Sequence, residues 1–303
     1  MSVNHSIPNS TLPQPSAVLE LLKPLTWFAA MWAFGCGVVS SGAASLDKWP
    51  LVLGGLLLAG PFVCAMSQAA NDWYDRHVDA INEPDRPIPS GRIPGRWGFY
   101  IAVAWTVASL ALAAALGPFV FVAGVVAVIF AWIYSAPPLR LKRNGWWSAL
   151  VCGLSYETIP WVTGAALMAG GMPATEVLIV ALLYGLGAHG IMTLNDFKAI
   201  EGDAELGLRT LPVQLGPKRA AQIACVVMAV PQVIVVALLF GWGMPWHSGV
   251  VALVLALQVR LMGKLLSDPR GRAPWYNATG TSLYVLGMLA AAFALAAMQA
   301  EAA

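Results

Sequence analysis

The chain has 303 residues, of which 58% are hydrophobic and only 11% are charged, and its mean hydropathy is +0.70. A soluble domain carries roughly 25% charged residues, so this composition excludes a water-soluble fold. The formal net charge of +2, without a run of Lys or Arg, also argues against nucleic acid as a partner.

The first 20 residues are polar, contain Pro and Ser, and lack the basic flank and cleavage site of a signal peptide. We therefore predict a flexible N-terminal segment over residues 1–20 and a single polytopic membrane domain over residues 21–303. The four cysteines lie inside apolar stretches without C-x-x-C spacing, so we interpret them as core residues. A bacterial inner membrane is the expected location.

The membrane domain divides into apolar segments long enough to cross a bilayer, which takes about 20 residues for roughly 30 Å of hydrocarbon. In chain order the predicted spans are residues 25–44, 51–70, 98–116, 118–136, 148–169, 177–194, 220–240, 247–266 and 278–298. Gly117-Pro118 separates the third span from the fourth, and Gly170 begins the turn after the fifth. The sequence thus predicts an all-α integral membrane protein with nine transmembrane helices.

The distribution of basic residues gives these helices an orientation. With nine spans, sixteen of the seventeen Lys and Arg residues fall on one side of the membrane and only Lys48 falls on the other. The positive-inside rule makes the basic side cytoplasmic. We therefore predict a cytoplasmic N-terminus and, because the number of spans is odd, a periplasmic C-terminus.

Acidic residues gather where the second and sixth spans end, in cytoplasmic segments near residues 71–96 and 195–218. The first cluster reads NDWYDRHVD from Asn71 to Asp79. If the second helix continues through it, the oxygens of Asn71, Asp72, Asp75 and Asp79 share one face over about two turns. Carboxylates so close together repel each other unless a cation lies between them, and Mg²⁺ prefers such ligands. The alternative interpretation is a solvated, charged helix end.

The second cluster reads NDFKAIEGD from Asn195 to Asp203. Asp196 and Asp203 are seven residues apart and are expected on one helical face, with Lys198 and Glu201 nearby. Two facing acidic clusters would hold Mg²⁺ ions against a diphosphate and stabilise its departure as pyrophosphate. This second cluster on the same side favours a diphosphate site over a solvated helix end.

Basic residues interleaved with the clusters are candidates for binding phosphate oxygens. The predicted diphosphate-binding residues are Arg86, Arg140, Lys142 and Lys198. Ordinary positive-inside anchoring is the alternative explanation for Arg140 and Lys142. Within the spans, Glu157 is a functional candidate because ionisable groups are costly there, and His189 is either an interior histidine or a ligand for a metal.

The pattern Asn71-Asp72-x-x-Asp75-x-x-x-Asp79, followed by RPIPSG from Arg86, resembles the first signature of the UbiA superfamily of intramembrane prenyltransferases. The segments NDWYDRHVDAINEPDRPIPSGR, IYSAPPLRLKRNGW and NDFKAIEGDAELG resemble the chlorophyll and bacteriochlorophyll synthases in particular. Thr26-Trp27 and the run CGVVSSG from Cys36 favour the bacteriochlorophyll branch.

The resemblance implies a UbiA-type helical bundle that uses Mg²⁺ and a C20 prenyl diphosphate, geranylgeranyl or phytyl. Its acceptor would be bacteriochlorophyllide or chlorophyllide, whose propionate becomes an ester in the last step of pigment synthesis. The protein would then lie in the bacterial inner or intracytoplasmic photosynthetic membrane. Because a propionate with a pKa of about 4 is already ionised at neutral pH, no general base is expected.

The resemblance also implies roles for the clustered residues. The expected catalytic residues are Asn71, Asp75, Asp79 and Asp203. The expected metal ligands are Asn71, Asp72, Asp75, Asp79, Asp196, Glu201 and Asp203. This chain has Ala199 where many members of the superfamily have Asp, so Asp196 would substitute from one turn earlier.

Two other functions remain open at the level of sequence. The same enzyme class would also accept a quinone precursor or haem in place of the chlorophyllide. From a different class, an ion-coupled transporter would place acidic residues in broken helices near the bilayer centre. The acidic clusters of this chain lie at span ends beside Arg and Lys, which favours the prenyltransferase.

Overall fold

A computed structural model of the chain describes residues 11–44 and 46–302. Within these ranges the regular structure is helical, and the only β-type pairing is an isolated bridge between Asn144 and Arg209. The α-helices are α1 (Pro15–Leu22), α2 (Trp27–Ser40), α3 (Trp49–Leu57), α4 (Ala65–Asn82), α5 (Trp97–Leu116), α6 (Pro118–Ser135), α7 (Gly145–Gly153), α8 (Ile159–Ala169), α9 (Thr175–Asn195), α10 (Ile200–Glu205), α11 (Leu211–Leu215), α12 (Pro217–Gly241), α13 (Pro245–Ser267) and α14 (Pro269–Ala302). Two π-helical segments, Leu58–Cys64 and Leu154–Thr158, join α3 to α4 and α7 to α8.

Eight helical stretches among the described residues are long and apolar enough to cross a bilayer. The fifth predicted span is helical as well, from Gly145 to Ala169 through α7, the π-helical segment and α8, but it is not one of the eight. The all-α membrane architecture is therefore confirmed, and the total of nine spans stays a prediction.

The N-terminal segment is partly a packed helix. Residues 1–10 lie outside the described part of the chain, but α1 follows, and its Ala17 and Leu21 are fully buried against α4 and α5. The Gln14 N–H donates to the Arg92 carbonyl at 3.2 Å, and the Arg92 guanidinium pairs with Glu20. The boundary expected at residue 20 falls inside this helix, so helix α1 lies against the loop that follows α4.

Both helix breaks that Gly and Pro predict are confirmed. Helix α5 ends at Leu116, Gly117 has a φ of 129°, and α6 begins at Pro118. Pro is suited to this first helical position because its missing N–H would have no partner there. Gly170 ends α8 in the left-handed conformation, with a φ of 64°.

The two acidic clusters lie on different local structures. Helix α4 continues through Asn71–Asp79, as the first cluster requires. After α9 ends, Asp196–Lys198 form a 3₁₀ turn, Ala199 has a φ of −124°, and α10 begins only at Ile200. The prediction that Asp196 and Asp203 share one helical face is therefore wrong. Short Asn and Asp side chains compete with the helix for backbone hydrogen bonds, which favours a break at this point.

Helices α2 and α8 approach each other closely at glycines, as membrane helices commonly do. A Cβ atom at Gly37 would overlap the carbonyl group of Trp161, and one at Gly164 would overlap the backbone of Phe34. A Cβ atom at Gly35, two residues from Gly37 on α2, would meet no atom within 4 Å. Gly37 and Gly164 thus set the distance between helices α2 and α8.

Gly37→Ala should therefore destabilise the protein, because the added methyl group must push α2 away from α8. Overpacking of this kind costs about 1–3 kcal/mol or more. The midpoint of thermal unfolding in detergent, followed by size-exclusion chromatography, should fall for Gly37→Ala and stay near the parent value for Gly35→Ala. Equal midpoints for the two variants would contradict the close approach.

Candidate active site

A cavity of about 470 Å³ lies between α2, α4, α6, α7, α8 and the end of α9. Most of its wall is apolar, with residues such as Leu58, Val63, Ala127, Phe130 and Ile159. Asn71 and Asn195, the first residues of the two acidic clusters, both line it. The fold therefore brings the two clusters, which lie far apart in the sequence, to the same cavity.

Both π-helical segments border this cavity. Leu58–Cys64 contributes Leu58, Ala59, Val63 and Cys64, and Leu154–Thr158 contributes Ser155 and Tyr156. Pro61 lies inside the first segment and has no N–H to donate to a regular helix. Single turns of π-helix within α-helices occur frequently at functional sites, where they redirect side chains.

Asn71 and Asp75 contact partners on the loop side of the cavity. The Asn71 Nδ2 group donates to Ser135 Oγ at 3.2 Å. The two carboxylate oxygens of Asp75 accept from different cations, Arg140 at 3.1 Å and Lys142 Nζ at 2.6 Å. The structure thus places two predicted phosphate-binding residues directly on a predicted metal ligand.

Asp72 and Asp79 contact a different set of cations. Asp72 is only 2% exposed, and its Oδ1 atom lies 2.7 Å from Lys23 Nζ and 3.5 Å from the Arg86 guanidinium. Arg86 also pairs with Asp79 at 3.0 Å and with Glu83. Successive helical residues are 100° apart around the axis, so Asp72 faces Lys23 rather than sharing the cavity face of Asn71.

The pKa values of the basic side chains reflect this mixture of burial and charge. Burial lowers the pKa of Arg86, but Asp72, Asp79 and Glu83 outweigh it and raise the pKa above its usual value. For Lys142 burial is the larger effect and lowers the pKa, although Asp75 opposes it. Asp75 thus offsets part of the effect of burial on the pKa of Lys142.

The second cluster is less tightly paired. Burial raises the pKa of Asp203, and the neighbouring Thr210 opposes this. The Asn195 Oδ1 atom accepts from Asn277 Nδ2 at 2.8 Å, which ties the end of α9 to α14. Asp196 and Lys198 lie in the 3₁₀ turn that follows. Glu201 is exposed and pairs with Arg270 at 2.9 Å, so its carboxylate is already engaged at the surface.

The donor atoms of the clusters suit a hard divalent cation. Carboxylate and amide oxygens are the ligands that Mg²⁺ takes, together with water and phosphate oxygens. The Asp72 Oδ2 atom is buried without a hydrogen-bond partner. In the described part of the chain, no three His, Cys, Asp or Glu side chains already form a ligand group. The donor set therefore fits Mg²⁺ bound jointly by protein and diphosphate.

Several residues at the site were missed by sequence reasoning. In the sequence, Lys23 is only one of the sixteen basic residues on the predicted cytoplasmic side, and no pattern assigns a role to Ser135. Gln68 and Tyr156 line the cavity and are hydrogen-bonded to each other at 3.0 Å. The available signal was the spacing of Gln68, which lies three residues before Asn71 and hence on the same helical face.

Glu157 and His189, the two candidates within the spans, do not line this cavity. The Glu157 side chain is buried, and its Oε2 atom has no hydrogen-bond partner. The His189 imidazole is buried beside Trp146, with the two rings 5.7 Å apart, and its Nδ1 atom lies 3.5 Å from Thr193 Oγ1. These contacts suit an interior histidine.

Comparisons with known proteins agree with this architecture. The model of the UbiA prenyltransferase family matches residues 26–283. The 33 kDa chain of bacteriochlorophyll synthase from Cereibacter sphaeroides is 58% identical over 99% of this chain and 99% of that protein. The chloroplast chlorophyll synthase of Arabidopsis thaliana is 36% identical over 91% of this chain and 73% of that protein.

Solved structures share the fold. A UbiA homolog from Archaeoglobus fulgidus bound to GPP and Mg²⁺ superimposes with a TM-score of 0.69 and 23% sequence identity. The match covers 88% of this chain and 99% of that chain. At this identity the likeness supports the helical bundle and carries no residue-level assignment.

Proposed function

This chain belongs to the UbiA prenyltransferase family, and we propose that it esterifies the propionate of bacteriochlorophyllide with a C20 prenyl diphosphate. The observation that carries the proposal is the 58% identity to a bacteriochlorophyll synthase chain over nearly the whole length of both proteins. The cavity adds physical support, because it joins a polar end at Asn71 and Asn195, beside the charged clusters, to an apolar body, as an amphiphilic diphosphate requires.

In the proposed reaction a propionate oxygen forms a bond to C1 of the prenyl group. The bond between C1 and the diphosphate oxygen breaks, and its electron pair leaves with the diphosphate. When bound, Mg²⁺ supplies positive charge that stabilises the leaving diphosphate. The residues proposed to hold it are Asn71, Asp72, Asp75, Asp79, Asp196, Glu201 and Asp203. Of these, Asp72 faces Lys23, and Glu201 is exposed and pairs with Arg270.

The other residues of the site are proposed to bind the diphosphate and to shield the reacting carbon from water. Arg86, Arg140, Lys142 and Lys198 are proposed to bind phosphate oxygens through charge-assisted hydrogen bonds. The apolar wall of the cavity would take the prenyl chain and keep water away from the reacting carbon. No protein group needs to remove a proton, because the acceptor is already a carboxylate.

Release of pyrophosphate tests the enzyme assignment against an ion-coupled transporter. Purified protein supplied with geranylgeranyl diphosphate, bacteriochlorophyllide and Mg²⁺ should release pyrophosphate in proportion to esterified pigment. EDTA should stop both, because the diphosphate would no longer be neutralised. Ion uptake into proteoliposomes without pyrophosphate release would contradict the proposal.

The chain is a multi-pass membrane protein, and we propose that it lies in the bacterial inner or photosynthetic membrane with its acidic clusters cytoplasmic. A reporter fused after residue 303 should then be periplasmic, and one inserted at Gly95 should be cytoplasmic. This follows from the basic loops, whose charges resist transfer across the membrane. Finding both reporters on one side would contradict nine spans.

A further inference from the structure

A layer of neutral polar side chains crosses the cavity next to Asn71. Gln68 Nε2 donates to Tyr156 Oη at 3.0 Å, and Cys64 Sγ lies 3.6 Å from the same oxygen. Thr26 Oγ1 lies 3.5 Å from the same sulfur atom of Cys64. All four residues line the cavity, and among the described residues that line it there is no Asp, Glu, Lys, Arg or His.

The pair formed by Gln68 and Tyr156 has hydrogen-bond donors to spare. A primary amide carries two N–H protons and a phenol carries one O–H proton. A single hydrogen bond joins the two groups and uses one of these three protons. Because Gln68 Nε2 donates in that bond, its second N–H proton and the Tyr156 hydroxyl proton remain available. Both side chains are partly exposed to the cavity rather than closed into the protein.

Two neutral donors suit a carboxylate that must act as a nucleophile. A carboxylate loses water on entering an apolar cavity and needs hydrogen bonds in compensation. A Lys or Arg partner would satisfy it but would also hold its electrons in an ion pair. Neutral donors hold the carboxylate with less loss of its reactivity, and each of its oxygens can accept one of the two free protons.

The same layer would keep two anionic substrates apart. The cations of the first cluster, Arg86, Arg140 and Lys142, lie against its acidic side chains outside the cavity lining. A diphosphate carries more charge than a carboxylate and is drawn to those cations. The acceptor carboxylate is then left with the neutral layer, next to Asn71 and therefore next to the reacting end of the prenyl diphosphate.

We infer that Gln68 and Tyr156 form the subsite that binds the carboxylate of the acceptor. This inference rests on the proposed function, because it needs an acceptor that attacks through a carboxylate. The atoms balance without a proton step: the bound carboxylate oxygen forms the ester bond to C1, and the diphosphate leaves with the electron pair of the broken bond.

The test compares binding of bacteriochlorophyllide with binding of its propionate methyl ester, using pigment fluorescence with the purified protein and no prenyl diphosphate. The parent should bind the free acid more tightly than the ester. Gln68→Leu and Tyr156→Phe should each reduce this preference by about tenfold, the scale of one hydrogen bond to a charged group. Thr163→Val, which removes a hydroxyl elsewhere in the cavity wall, should leave the preference unchanged.

Steady-state kinetics provide the second readout. Both variants should raise the KM for bacteriochlorophyllide by a similar factor and leave the KM for geranylgeranyl diphosphate within about twofold. Tyr156→Phe keeps the ring volume, so it remains informative if Gln68→Leu folds poorly. A parent enzyme that makes no pigment ester would refute the proposed function. An active parent whose two variants keep the full preference for the acid would overturn this inference alone.

Discussion

Asp75→Asn should abolish prenyl transfer while the protein remains folded and inserted. Asp75 accepts from Arg140 and Lys142 and is proposed to carry charge that holds Mg²⁺ on the diphosphate. Removal of one stabilising group at a developing charge commonly costs about 10²–10³ in rate. The measurement is the initial rate of pigment esterification at saturating Mg²⁺, on protein that elutes as a single peak in size-exclusion chromatography.

Asp79→Asn and Asp203→Asn should give similar losses, because both carboxylates are proposed to hold Mg²⁺ on the diphosphate. Asp85→Asn is the matched control, since Asp85 is an exposed carboxylate in the loop that follows the first cluster. It should retain parental activity. Rates within a few-fold of the parent for both Asp75→Asn and Asp79→Asn would refute the assignment of the site.

The helix that carries the first cluster could be predicted because it depends on local structure, but Asp72, which was expected on the same face, lies against Lys23. Helix α4 continues past the apolar span. Helical spacing alone then places Asn71, Asp75 and Asp79 on one side of this helix. The second cluster was predicted less well, because its helix is interrupted at Asp196–Lys198. The bond between Asn195 and Asn277 that accompanies this interruption joins residues 82 positions apart, and no local pattern reveals it.

Long-range contacts also account for the residues that sequence reasoning missed. Lys23 and Asp72 are 49 residues apart, so their ion pair depends on how α1 packs against α4. Tyr156 faces Gln68 across 88 residues, from a π-helical segment. π-Helical turns are rare, so a sequence that reads as an ordinary span does not predict one.

The identity of the acceptor should have the second large effect on the rate of prenyl transfer. With geranylgeranyl diphosphate and Mg²⁺, the protein should esterify bacteriochlorophyllide, and it should leave 4-hydroxybenzoate and homogentisate unchanged. A phenolic acceptor needs activation, and the side chains that line the cavity include no carboxylate or imidazole to act as a base among the described residues. A propionate needs none, because it is ionised throughout the neutral range.

The pH profile gives this prediction a second, independent readout. The rate should change little between about pH 6.5 and 8.5, because a propionate with a pKa of about 4 stays ionised. On the alkaline side the rate should decline where Lys142 loses its charge, at a lower pH than an ordinary lysine because burial lowers its pKa. On the acid side it should decline where Asp203, whose pKa burial raises, becomes protonated. A chromatogram of the products decides the acceptor: prenylated hydroxybenzoate without esterified pigment would overturn the acceptor and leave the prenyltransferase assignment intact.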